Sequence, residues 1–272
     1  MSFFQAFILG VVQGLTEFLP ISSSAHLVLV PWALGWPAHG VAFDAALHLG
    51  TLAALLLYFW RDWLDISRAF VLGITNSRAR ETFEYGLAWM LILGTVPAAV
   101  VGFLAQDYIE SAVREPQTIA AVMVIFAIVL LVADRVGIQR RAMERFTVVD
   151  AVLIGIAQAI ALVPGVSRSG ITITAGLLLG FTRPAAARFS FLLSTPVTLA
   201  AGSFELVHLL RSGMEGDGLA ILGVGILTSA VVGLCAISFL LHFLQRNSTD
   251  VFVWYRVAAG LCVFLIALVY PG

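Results

Sequence analysis

The chain has 272 residues, of which 60% are hydrophobic and only 11% are charged. Soluble globular domains carry about 25% charged residues, so this chain has too little charge to cover a surface that faces water. The composition therefore predicts an integral membrane protein. A formal net charge of −1 excludes a generally basic nucleic-acid-binding protein, and we expect no nucleic-acid partner.

Apolar segments follow one another along the chain. Crossing about 30 Å of hydrocarbon takes roughly 20 helical residues. Six segments satisfy that length: 41–60, 86–105, 117–133, 189–208, 219–243 and 251–270. Four shorter apolar segments form two pairs: 3–16 with 25–36, and 148–163 with 169–181. We therefore predict an all-α membrane protein with six transmembrane helices and two re-entrant helix-loop-helix pairs.

A polar, proline-containing segment interrupts each short pair. We call residues 17–24 the first break and residues 164–170 the second break. Non-helical backbone at membrane depth is tolerated only where protein buries it or where it lines a wet cavity. Each break is therefore a candidate functional site. The alternative is that both breaks are surface loops that join four short spans.

The chain also repeats itself. The tetrapeptide GVVQ at 10–13 recurs as GIAQ at 155–158, and AVVG at 99–102 recurs at 230–233. Each half has one interrupted pair followed by three spans, and an odd number of spans gives consecutive halves opposite topology. We therefore predict a single membrane domain, 1–272, built as an inverted repeat. Repeat 1 covers about 1–135 and repeat 2 about 148–272, and the two breaks are expected to meet.

The arginines predict the orientation, because short loops rich in Arg stay on the cytoplasmic side. Twelve of the 15 arginines fall on one side of this topology. They include four in a predicted loop at 61–85 and, near the chain's end, Arg256. Only Arg114 and Arg211 fall on the other side, and Arg168 lies in the second break. The arginine-rich face is predicted to be cytoplasmic, with both termini outside.

The first break carries several polar side chains. It contains Glu17 and three serines, Ser22, Ser23 and Ser24, and the imidazole of His26 follows two residues later. An ionisable group at the centre of a membrane helix costs about 2.5–3.5 kcal/mol on insertion scales, which favours a functional role. We predict that His26 shares a proton with one of the serines, as an activated nucleophile requires. Helix capping is the structural alternative for one serine.

The second break carries a cation and leads directly into the predicted helix 169–181. Arg168, flanked by serines and glycines, lies where free backbone N–H groups at a helix start can bind an anion. A guanidinium suits phosphate oxygens. The alternative is an ion pair of Arg168 with Glu17 or Asp150. A nucleophile in one break and an anion site in the other favour phosphoryl transfer.

Both breaks resemble motifs of a known family. Residues 13–26, QGLTEFLPISSSAH, resemble the [E/Q]GxTEFLPxSSxGH motif of the undecaprenyl-diphosphate phosphatases of the BacA/UppP type. Residues 164–172, PGVSRSGIT, resemble their PGxSRSGxT motif. The resemblance implies interlocked inverted repeats in the bacterial inner membrane and a site open to the periplasm. It implies hydrolysis of undecaprenyl diphosphate to undecaprenyl phosphate and phosphate, which recycles the lipid carrier of peptidoglycan and confers bacitracin resistance.

The resemblance also assigns residues. It places the nucleophile at Ser23, the acidic residue at Glu17 and the histidine at His26, with Ser22 as our second choice for the nucleophile. Gln13 is a further secondary candidate. The phosphate-binding candidates are Ser167, Arg168 and Thr172 from the resemblance, with Ser169 and Gly170 added at the start of the helix.

Two positions depart from the family's pattern. Gln13 stands where many members have Glu, so we expect no tightly bound cofactor and no two-carboxylate metal site. A divalent cation such as magnesium or calcium is expected to bind through Glu17, the substrate phosphates and water. Ala25 replaces a Gly, which is a mild change in a helix and a costly one at positive φ.

The expected partners are the membrane and a polyprenyl diphosphate lipid, and a homodimer stays open. Asp44 and His48, four residues apart in the span 41–60, either support the site or pair with each other. Two other functions compete. A secondary transporter or flippase shares the inverted-repeat design, and an intramembrane serine hydrolase would use a Ser-His pair, although no GxSxG elbow accompanies these serines.

Overall fold

The computed structural model describes the backbone of residues 1–37, 40–112, 115–212 and 218–269. Side chains are described in these ranges except at 41–42, 105–112, 201, 203–212 and 268–269. Arg114 and the Arg211 side chain, used in the orientation prediction, lie outside the described residues. Two short 3-10 helices accompany these α-helices: α1 Phe3–Phe18, α2 Ser23–Ala33, α3 Val41–Tyr58, α4 Trp60–Thr75, α5 Phe83–Ala112, α6 Pro116–Val136, α7 Val148–Ile160, α8 Arg168–Leu178, α9 Arg183–Ser212, α10 Gly218–Phe243 and α11 Asp250–Val269.

Several helices are long and apolar enough to cross a membrane. Within the described residues these are α5, α6, α10 and α11, and α3 with α4 makes a fifth if that pair, bent by 75°, is one span. Large apolar side chains lie exposed on these helices, and Phe103 on α5 is 86% exposed. Because such a surface is stable only in lipid, the chain is a multi-pass integral membrane protein.

The predicted loop at 61–85 is wrong, because most of it is helix α4. Trp63, Ile66 and Phe70 follow one another at helical spacing and pack against the core. Arg61 and Arg68 lie exposed on the same helix. The mean hydropathy of the segment did not predict this amphipathic helix, because its charged face and its apolar face together give the average of a polar loop.

The two interrupted pairs are α1 with α2 and α7 with α8, and their breaks have matching backbones. Ser22 precedes α2 with φ 78°, and Ser167 precedes α8 with φ 74°. Positive φ is uncommon for residues other than glycine. In each break the hydroxyl of this serine lies 3.3 Å from the hydroxyl two residues later, on Ser24 and Ser169. The same local structure therefore occurs twice.

Close glycine contacts fix the first helix of each pair. A Cβ on Gly10 of α1 would lie 2.6 Å from the carbonyl oxygen of Gly225 in α10. A Cβ on Gly94 of α5 would lie 2.9 Å from the carbonyl oxygen of Ala151 in α7. Small residues allow this backbone approach in membrane helices. Helix α1 is thus held by the second half of the chain, and α7 by the first half.

Candidate active site

The two breaks meet inside the helix assembly. The Ser169 hydroxyl in the second break donates a hydrogen bond to the carbonyl oxygen of Leu19 in the first, at 3.1 Å. The Arg168 guanidinium forms an ion pair with Glu17. The site is therefore built jointly by residues from both breaks.

Glu17, at the end of α1, is the centre of this contact. It is 6% exposed, and its carboxylate accepts hydrogen bonds from three side chains. Ser23 Oγ donates to Oε2 at 2.6 Å, Gln13 Nε2 donates to the same oxygen at 3.1 Å, and Arg168 donates to Oε1. A buried carboxylate needs such donors to offset its lost hydration. The Ser23 hydroxyl therefore points its proton at a base.

His26 has different partners from those we predicted. Its Nδ1 lies 2.7 Å from the backbone oxygen of Ser22, and its Nε2 lies 2.8 Å from the Tyr255 hydroxyl. A carbonyl oxygen only accepts, so Nδ1 carries the proton and the neutral ring accepts from Tyr255 at Nε2. Because both ring nitrogens are engaged, the predicted sharing of a proton between His26 and a serine hydroxyl is wrong here.

The other residues of the first break distinguish between the serines. Ser22 is the residue before α2 and is buried, and its hydroxyl contacts Ser24 rather than a carboxylate. Ser23 is half-buried at the cavity and contacts Glu17, so the geometry favours Ser23 over Ser22 as nucleophile. Ala25 lies within α2, so the replacement of glycine there is the mild case.

Arg168 begins α8 and is held at both ends of its guanidinium. Nη1 donates to Thr198 Oγ1 at 2.6 Å and to the Ser194 carbonyl oxygen at 3.3 Å, while Nη2 donates to Glu17. The alternative pair with Asp150 is wrong, because Asp150 binds Arg141 at 2.6 Å. The Arg168 side chain remains 19% exposed, so a ligand in the cavity can reach it.

The other phosphate-binding candidates divide into two groups. Ser167 lines the cavity, and its hydroxyl caps α8 by accepting from the Gly170 N–H at 3.1 Å. The Ser169 hydroxyl donates to the carbonyl oxygen of Leu19, and the Thr172 hydroxyl lies 2.6 Å from the Ser190 hydroxyl. Gly170, Ser169 and Thr172 therefore stabilise the second break from outside the described cavity lining.

A cavity of about 320 Å³ lies where the breaks meet. Its polar lining includes Glu17, Ser23 and Arg168, and Ala98 of α5 and Val197 of α9 contribute apolar walls. Polar groups grouped within apolar walls suit a ligand with an anionic head and a hydrocarbon tail.

His48 belongs to this site, although it is not among the predicted site residues. Its Nε2 lies 3.5 Å from Glu17 Oε2, and its Nδ1 donates to the Asp44 backbone oxygen at 2.7 Å. Both residues line the cavity. The sequence indicated this arrangement, because Asp44 and His48 are four residues apart in an apolar helix and therefore lie on the same face.

Arg256 is the second missed residue, and counting it among the charges of the arginine-rich face is wrong, because its side chain is buried in the protein. It is 0% exposed within α11. Its guanidinium donates to the carbonyl oxygens of Pro20 at 3.3 Å, Gly165 at 2.9 Å and Val166 at 3.0 Å. Pro20 and Gly165 each lie two residues before the serine of positive φ, so Arg256 binds equivalent points of both breaks. A charge inside a predicted span was the signal.

Comparison with known proteins covers nearly the whole chain. The family model described as "Bacitracin resistance protein BacA" matches residues 6–262. A protein of Geotalea daltonii named undecaprenyl-diphosphatase is 52% identical over 267 residues, which cover 98% of both chains. The undecaprenyl-diphosphatases of Thermomicrobium roseum and Pelobacter propionicus are 45% and 49% identical, again over 98% of both chains.

Proposed function

This chain belongs to the family of the bacitracin resistance protein BacA, and from that premise we propose that it hydrolyses undecaprenyl diphosphate. The products are undecaprenyl phosphate and inorganic phosphate. Its relatives at 45–52% identity carry the name undecaprenyl-diphosphatase. The reaction returns the lipid carrier to peptidoglycan and envelope glycan synthesis in the bacterial inner membrane. It confers bacitracin resistance, as the family's description states.

The contact between Ser23 and Glu17 carries the proposed mechanism. Ser23 Oγ lies 2.6 Å from Glu17 Oε2, inside a cavity that Arg168 also lines. Ser23 Oγ attacks the terminal phosphorus, and its proton passes to Glu17. The bond from that phosphorus to the bridging oxygen breaks, and undecaprenyl phosphate leaves. Water then hydrolyses the phosphoserine, so that each step is easier than direct displacement.

Arg168 stabilises the charge that develops during this transfer. Its guanidinium is preorganised by Thr198, Ser194 and Glu17, so it need not reorganise when the reaction begins. Ser167 lies beside it at the helix start. His26 and Arg256 are positioning residues, since they hold the backbone of the breaks rather than the reacting atoms.

The described residues do not fit a resident divalent cation. Both Glu17 oxygens already accept from donors, and one donor is the cation Arg168. Gln13 supplies an amide N–H to Glu17 where a second carboxylate would be needed. No group of three potential metal-binding side chains occurs in the described part of the chain. Magnesium or calcium is therefore expected only as a complex with the diphosphate substrate.

The complete topology forms part of the proposal. Helix α9 has 30 residues and is about 45 Å long at 1.5 Å per residue, enough to cross the membrane. Its polar residues Ser190, Ser194, Thr195 and Thr198 are buried against the protein. With α9 the spans number six, and α1–α2 and α7–α8 are the re-entrant pairs of the two halves of an inverted repeat.

The orientation survives the correction of Arg256. Without it, and without Arg61 and Arg68 on α4, nine arginines against two still favour a cytoplasmic location for the arginine-rich face. The termini and the cavity then face the periplasm. The proposal includes no particular oligomeric state, so a homodimer remains a prediction.

Phosphate release by the purified protein tests the function. Ser23→Ala should reduce turnover of undecaprenyl diphosphate by about 10³-fold, because the nucleophile is lost. Ser67→Ala, at an exposed serine on α4, is the matched control and should behave as wild type. Near-wild-type turnover by Ser23→Ala would exclude the covalent step. If the wild-type protein moved the lipid across the membrane without releasing phosphate, the result would instead favour a flippase.

A further inference from the structure

Gln158 is a buried residue of the cavity that the mechanism above does not use. It lies near the end of α7, two residues before Ile160, and is 2% exposed. It lines the same cavity as Ser23, Glu17 and Arg168. Neither its amide nitrogen nor its amide oxygen has a hydrogen-bond partner among the described residues. A buried amide without partners is unfavourable, so its presence requires an explanation.

The equivalent residue before the first break differs from it. Gln13 and Gln158 occupy corresponding positions in the repeated tetrapeptide. Gln13 donates to Glu17, four residues later, whereas the residue four after Gln158 is the apolar Leu162. Gln13 does not line the described cavity. The second half of the chain therefore keeps the glutamine but removes its partner within the protein.

The backbone around Gln158 is held in place. A Cβ on Gly155 would meet the backbone of Gly94, and Gly94 itself lies close to Ala151. Helix α7 is thus locked against α5 one turn before Gln158. The side chain cannot leave the cavity by a small shift of its helix.

The partner of this amide has to accept one hydrogen bond and donate another. Ionised phosphate oxygens only accept, so they would satisfy the amide nitrogen and repel the amide oxygen. A water molecule does both. We propose that Gln158 binds and orients the water that hydrolyses the phosphoserine formed on Ser23. This inference depends on the proposed function, because it concerns its second step.

The step is balanced with groups already described. The water oxygen forms a bond to phosphorus, and the bond from phosphorus to Ser23 Oγ breaks. Glu17 returns to Ser23 Oγ the proton that it took from this oxygen in the first step, and both protons of the water leave with the inorganic phosphate. Inorganic phosphate leaves, and Gln158 acts only by holding the water in line with the bond that breaks.

The variant Gln158→Met tests the proposal, because methionine keeps the side chain's length and removes both polar atoms. In a single turnover with undecaprenyl diphosphate, undecaprenyl phosphate should form at near the wild-type rate. Release of inorganic phosphate should slow by about 100-fold. Phosphorylated Ser23 should accumulate and be visible by intact-protein mass spectrometry. Gln245→Met, at an exposed glutamine, is the matched control.

Three results would overturn the proposal. They are an equal slowing of both products, a raised KM with unchanged kcat, and wild-type kinetics. If Gln158→Met does not fold, Gln158→Asn, which withdraws the amide by one methylene, gives the same comparison of the two products. If the wild-type protein forms neither product, the proposed function fails, and that result is separate from the inference about Gln158.

Discussion

The two breaks share one backbone and differ in their chemistry. Each has a serine at φ near 75° before a short helix, and Arg256 donates to equivalent carbonyls in both. The position after that serine is Ser23 in the first break and Arg168 in the second. One scaffold therefore presents a hydroxyl in one copy and a cation in the other.

This difference shows how a duplicated structure becomes an asymmetric site. Glu17 follows the first glutamine by four residues, and Leu162 follows the second. The carboxylate of the first half thus binds both the hydroxyl and the cation. The paired backbone positions the groups, and differences at a few equivalent positions place a carboxylate and a hydroxyl in the first half and a guanidinium in the second.

Loss of the carboxylate should have the largest effect, because it serves both breaks. Glu17→Gln should lower kcat for phosphate release by about 10³-fold, within the usual range for a general base. Steady-state phosphate release measures it, with Glu144→Gln at an exposed site as the control. A loss of less than tenfold would mean that another group accepts the Ser23 proton.

The cation of the second break should come next. Arg168→Lys should reduce kcat by about 10²-fold, because an ammonium cannot contact Glu17, Thr198 and Ser194 at once. The same assay measures the effect, and Arg145→Lys is an exposed control. Full activity in Arg168→Lys would contradict a role for the planar guanidinium.

Removal of the shared arginine should affect stability more than chemistry. Arg256→Met leaves three buried carbonyl groups without their donor, which should lower the free energy of unfolding by about 3 kcal/mol. Unfolding in a titration of denaturing detergent measures this, against exposed Arg246→Met. An unchanged midpoint would show that the breaks hold together without Arg256.

The smallest effect is expected at the contact between His26 and Tyr255, which has no equivalent beside the second break. Tyr255→Phe removes the hydroxyl that binds His26, and it should cost about 1 kcal/mol of stability. After the second break, Ile171 stands at the position equivalent to His26, so this contact is not part of the structure that the two breaks share, and phosphate release should fall less than fivefold. If Tyr255→Phe lost as much phosphate release as Glu17→Gln, His26 would be the better candidate for the general base.

The sequence predicted the main helices and both breaks well, since long apolar segments and their interruptions depend on composition alone. The contact of Glu17 with Arg168 was foreseen only as an alternative, because it joins residues 151 positions apart. Helix α4 was missed because its charged face hid its apolar face. Such patterns need periodicity as well as hydropathy.

The hydrogen-bond partners of the site residues were harder to predict than the residues themselves. His26 is close to Ser23 in sequence, yet the helix start turns its ring toward Tyr255, whereas Glu17 reaches Ser23 across the turn. Arg256 was counted with the arginine-rich face because charges near a predicted helix end are usually in water. Local sequence gives candidate groups, but hydrogen-bond partners depend on the turn and on distant helices.

The glycine contacts have a consequence for how the molecule is made. Helix α1 leaves the ribosome before α10, which is synthesised some 200 residues later, and the surface of Gly10 and Gly14 packs on α10. Helix α7 finds its partner α5 already in the membrane. The surface of α1 that packs on α10 therefore has no partner until α10 has been synthesised, and the two breaks can meet only after the second half of the chain has followed the first.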